Sequence, residues 1–151
     1  MAISIRRPRM AVWGVVILFL IFSFLGKWRA VEMEALNTSV VVASKRILER
    51  ANYYKQHYLL GSKISEEAMN GSFSYSKSGW LIPTEQTDSV CKQWLTKLYP
   101  EQRILNVARP EIFDMSISDE LHCRYEYTEK YQIDVLLSDG RFSVKVNMLA
   151  L

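Results

Sequence analysis

Two cysteines and two histidines are the side chains best able to carry covalent or metal chemistry in this sequence: Cys91, Cys123, His57 and His122. His122 adjoins Cys123, which invites a cysteine–histidine nucleophile. Neighbours on a strand point to opposite faces, however, and are badly placed to share a proton. A zinc site made from all four would use every such ligand in the chain, and none has the close pairing that zinc sites show. Glu66-Glu67 and Asp119-Glu120 are acidic doublets. Solvated turns account for both, since paired-carboxylate catalysis needs groups that converge. The chain has no phosphate-cradling glycine loop and no G-x-S-x-G. These residues point away from an enzyme, with no cofactor and no metal.

The cysteines have two open readings. One is a Cys91–Cys123 bridge, the natural state outside the cytoplasm. The other is a pair of buried, reduced thiols. Location decides between them, and location is written in the N-terminus. Residues 6–29 read RRPRMAVWGVVILFLIFSFLGKWR. Met10 to Gly26 has no charge and one polar side chain, Ser23, and Trp28 extends the run as an interfacial aromatic. A membrane-spanning helix needs about 20 apolar residues, with a range of roughly 17 to 25. A buried core helix of this length would show a polar stripe. The exit, Leu25-Gly26-Lys27-Trp28-Arg29, lacks the small residues of a signal-peptide cleavage site.

Residues 10–28 therefore read as an uncleaved anchor in the lipid bilayer, flanked by Arg6, Arg7 and Arg9 on one side and Lys27, Trp28 and Arg29 on the other. Three arginines before the span, with Glu32 and Glu34 close behind it, favour a cytoplasmic tail over 1–9. The main domain is then periplasmic, on a bacterial inner membrane. Charge agrees with that division. Of 19 Lys and Arg, three lie in the tail, and the remaining 16 balance 16 Asp and Glu. A nucleic-acid face would need an excess of positive charge in the folded part.

Beyond the anchor, Leu36, Val40, Ala43, Ile47, Tyr54 and Tyr58 recur on one helical face. No Pro or Gly interrupts before Gly61, so an amphipathic helix is expected over 29–60, about 50 Å long at 1.5 Å per residue. Its stripe either packs on its own domain or forms a helix–helix assembly face over 31–60. Gly61 to Gly79 reads as a connection rich in breakers, with Ser65–Met69 as one helical turn inside it. Asp88 is the expected N-cap of a helix carrying Val90, Cys91, Trp94, Leu95 and Leu98, stopped before Pro100. Ile112–Ile117, Leu121–Tyr127, Tyr131–Leu137 and Arg141–Met148 alternate as strands, with Ser138-Asp139-Gly140 turning the last pair. The expected fold is α+β, with 61–151 and the long helix making one domain around a small antiparallel sheet. Trp80 and Trp94 read either as core or as exposed contacts for a partner.

A membrane helix running into an amphipathic one and then a small sheet resembles the layout of type IV pilins. The pilin leader is missing: neither Gly14 nor Gly26 is followed at the fifth position by glutamate. The uncleaved anchor, the Ala43–Leu60 helix, Gly79-Trp80-Leu81-Ile82-Pro83 and Cys91-x-x-Trp94-Leu95 together resemble the mannose-sensitive haemagglutinin (MSHA) pilus-biogenesis protein F family. That resemblance implies a non-enzymatic accessory protein of type IV pilus biogenesis, working through contacts with other pilus assembly proteins. The alternative is a bitopic scaffold of a secretion or division complex that uses the long helix as a coiled coil.

Overall fold

A computed structural model describes residues 6–61, 72–84, 89–105 and 107–149, with the side chains of residues 6–8, 29 and 30 outside the description. The chain is α+β. It divides into two compact units, residues 1–37 and 38–151, and helix α1 (Arg6–Leu59) belongs to both.

In the first unit, every described side chain from Arg9 to Trp28 is exposed. The helix here is apolar on all sides and long enough to cross a membrane. Phe24 and Trp28 touch through their rings, centroids 5.5 Å apart, as residues four apart on a helix do.

The second unit is built around a four-stranded antiparallel meander in the order β3-β4-β5-β6: Glu111–Asp114, Leu121–Thr128, Tyr131–Ser138 and Arg141–Met148. Strand alternation sorts its side chains. Cys123, Tyr125 and Tyr127 share a face with Ile133, Val135 and Leu137, and then with Phe142, Val144 and Val146. That face is buried on β4 and β5. The other face carries His122, Arg124, Glu126, Gln132, Asp134, Ser143, Lys145 and Asn147. The β5–β6 turn has both central residues, Asp139 and Gly140, at positive φ (50° and 72°), as a type I′ turn requires.

Helix α2 (Val90–Leu98) packs on β3 and β4. It buries Cys91, Trp94, Leu95 and Leu98, the residues its periodicity singles out. Its N-cap is Ser89, whose hydroxyl accepts from the Lys92 amide, one residue later than the sequence suggests. Asp88 lies outside the described residues. On α1, Val40, Ala43, Ile47 and Ala51 are buried inside the second unit. Ser44 joins them because its hydroxyl is satisfied by Val41 O at 2.8 Å. The middle of the stripe is therefore core, while Leu36 and Tyr54 are half-buried and Tyr58 is exposed, so an assembly face would lose Val40, Ala43 and Ile47. Gly61 follows the helix with φ 59°, as a terminating glycine does.

One element has no counterpart in the sequence reading. Phe73–Tyr75 (β1), inside the Gly61–Gly79 connection, and Leu81–Pro83 (β2), just past it, form an antiparallel hairpin. The turn closes through Ser76 N donating to Trp80 O at 2.8 Å and Gly79 N to Ser76 O at 2.9 Å. Gly79, at φ 82°, permits this turn, and a Cβ there would meet the Tyr58 ring at 2.9 Å.

Candidate partner-binding cleft

Cys91 and Cys123 are bonded, with Cα atoms 5.4 Å apart and both residues buried. Tyr125 reinforces the bridge by donating to Cys91 O at 2.8 Å. The bridge removes both sulfurs from nucleophile or zinc chemistry. His122 points the other way, its Nε2 3.7 Å from Asp134 Oδ1. His57 is half-buried, with its ring 4.2 Å from that of Tyr53. Among the described residues no three His, Cys, Asp or Glu converge as a metal site would need. Glu66-Glu67 and the Ser65–Met69 turn lie outside those residues.

Of the four tryptophans, Trp80 and Trp94 are core residues. Trp94 is fully buried and Trp80 is 7% exposed. Trp94 donates from Nε1 to Leu81 O at 3.0 Å, and Trp80 from Nε1 to Gly140 O at 2.9 Å. Phe142 lies between them, stacked on Trp80 at 5.1 Å and edge-on to Trp94 at 5.5 Å. Lys55 Nζ caps the Trp80 ring at 4.0 Å. Together the two indoles tie the β1–β2 hairpin, α2 and the β5–β6 turn into one cluster.

A cleft of the second unit lies elsewhere. About 810 Å³ in volume, it lies between Arg46, Glu49, Arg50, Tyr53 and Tyr54 of α1 and the end of α2 at Leu98 with the three residues that follow it, Tyr99, Pro100 and Glu101. Helical spacing sets the first wall, since 46, 50, 53 and 54 lie within two turns on one side. Across the gap, Arg46 Nη1 reaches Glu101 Oε2 at 2.8 Å. Among the described residues Arg50 Nη1 makes only a long 3.5 Å contact to Lys97 O, which leaves guanidinium donors for a ligand. Lys97 Nζ lies 5.5 Å from the Tyr54 ring. Burial raises the Tyr54 phenol above its ordinary pKa, against the pull of Arg50 and with the help of Tyr53. Burial likewise raises Tyr99, with Glu101 adding to the effect and Arg46 opposing it.

This lining holds cations, neutral phenols and two carboxylates, but no Cys, His or Ser among the described residues. It suits polar recognition of a polypeptide, with Arg50 as the natural clasp for a carboxylate. Arg46 meets a partner 55 residues away in the chain, and no local pattern marks it.

The open face of the sheet holds the second polar cluster. Arg124 donates through Nε to Asp134 Oδ1 at 2.8 Å and through Nη2 to Oδ2 at 3.2 Å. Asn147 Nδ2 adds a third bond at 2.7 Å. Burial by itself would raise the Asp134 pKa. The Arg124 bonds and charge, then His122 and Asn147, outweigh it and hold the carboxyl below its ordinary value. With its partners inside the sheet, this carboxylate serves to hold three strands together.

Compared with known proteins, the chain matches no family model, no curated protein and no solved structure.

Proposed function

We propose that this protein is a non-enzymatic accessory protein of type IV pilus biogenesis, similar to the MSHA pilus-biogenesis protein F family. In this reading residues 10–28 anchor it in a bacterial inner membrane. The tail is cytoplasmic, the second unit is periplasmic, and the Arg46–Glu101 cleft receives a pilus assembly protein. One observation carries the proposal: a helix exposed and apolar on all sides precedes a small α+β unit closed by a disulfide. Such a helix needs lipid, and such a bridge needs an oxidising compartment. The pilus assignment draws on the two motifs of the resemblance. Gly79–Pro83 and Cys91-x-x-Trp94-Leu95 meet in the tryptophan cluster, which supports treating them as one structural signature. Burial of Val40, Ala43, Ile47 and Ala51 weighs against the coiled-coil scaffold, whose seam would need that face.

Loss of the protein is expected to abolish surface pili in a piliated host. Arg50→Glu is expected to reproduce the loss while leaving the chain in the membrane at normal level. Normal piliation without the protein would overturn the proposal. Full activity of Arg50→Glu would remove the cleft from it.

A further inference from the structure

The meander ends in two strands that pair on one side only among the described residues, β3 and β6. Exposed edges are templates for further pairing, and proteins that avoid it usually blunt both edges. Here the edges differ in sign. On β3 the exposed charges are Glu111 and Asp114, with Arg109 exposed just before the strand, and on β6 they are Arg141 and Lys145, with Asp139 exposed in the turn before it. The β3 side also exposes an apolar row at every second residue: Phe113 (43%), Met115 (44%) and Ile117 (73%). Two of the charges lack an ion-pair partner among the described residues. Glu111 stands directly opposite Glu126, a like-charged cross-strand pair, and no cation is joined to it among the described residues. Lys145 is in register with Asp134, but that carboxylate is already held by Arg124 and Asn147.

We propose that β6 of one copy of this chain pairs antiparallel with β3 of a second copy, extending the sheet head to tail. Topology permits it. Four strands, each antiparallel to the last, leave β3 and β6 running in opposite directions. A copy displaced along the sheet therefore brings its β3 antiparallel to β6, with buried and open faces continuing on the same sides. Aligning Lys145 with Glu111 of the next copy places Ser143 opposite Phe113 and Arg141 opposite Met115 on the open face. On the other face Val144 meets Ile112 and Phe142 meets Asp114. The lysine neutralises the Glu111–Glu126 repulsion, and the arginine stem covers the methionine. Opposite charge on the two edges favours this heterologous contact over a two-fold pairing of like edges.

The test uses the full chain in detergent micelles. Glu111→Cys and Lys145→Cys variants are prepared separately, mixed, and treated with a short bismaleimide. Each variant must keep the Cys91–Cys123 bond and native circular dichroism. A crosslink is expected in the mixture and not in either variant alone, since strand-paired Cβ atoms lie about 5 Å apart. In parallel, Glu111→Lys or Lys145→Glu should each weaken association of the otherwise native chain by about tenfold, and the double reversal should restore it. Three results overturn the proposal: a wild-type chain monomeric at every concentration, a Glu111→Cys homodimer without its partner, or a double reversal no better than the singles.

Discussion

Replacing both Cys91 and Cys123 by Ala removes a bridge whose ends are 32 residues apart and wholly buried. In the chain-entropy account, a loop of that length stabilises the fold by roughly 3–4 kcal/mol. For a unit the size of residues 38–151, unfolding entropy of about 2.1 cal/mol/K per residue converts each kcal/mol to about 4 °C. The double variant should therefore melt about 12–16 °C below the native chain. The assay is thermal unfolding of the full chain in detergent by near-ultraviolet circular dichroism, which reads the tryptophan cluster beside the bridge. Native protein held in reductant should keep its bridge until it unfolds, because neither sulfur reaches solvent. A fall in Tm under about 4 °C, or two free thiols in native protein taken from its membrane, would refute the reasoning.

Arg124→Ala should cost about 2 kcal/mol at neutral pH, since it strips a buried carboxylate of its bidentate partner. Asp134 is held below its ordinary pKa in the fold, so its contribution is present above about pH 4 and is lost as the pH falls through the folded value. Denaturant melts at pH 7 and in strong acid should therefore show the gap between Arg124→Ala and native protein narrowing in acid. Burial raises the Tyr125 and Tyr127 phenols well above the usual range, so their contribution is complete below about pH 10 and is lost as the pH climbs past it. In an ultraviolet titration, these two should ionise only together with loss of native circular dichroism. Gly79→Ala should cost about 1–3 kcal/mol, read by thermal melt, because it combines a positive φ with a close approach to the Tyr58 ring.

Much of the fold is legible because its signals are local. Alternation marks β4, β5 and β6 to within a residue of their observed ends, and Asp139-Gly140 fixes their turn. Spacing of Val40, Ala43 and Ile47 gives the buried stripe of α1. Local signal fails for the β1–β2 hairpin. Strands of three residues are too short for a period of two to stand out, and the serines between Ser72 and Ser78 read as loop. The Trp80 and Trp94 environments depend on Gly140 and Leu81, and the cleft depends on Arg46 meeting Glu101. Those contacts exist only after folding. Edge polarity of the sheet is visible in composition only once strand order is known.

The most direct measurement is mass spectrometry of the native chain and its companions from gently solubilised membranes, under non-reducing conditions. An uncleaved chain two hydrogens lighter than its sequence is expected, together with pilus alignment or platform proteins. A shortened chain, two free thiols, or division or secretion proteins in place of pilus components would contradict it.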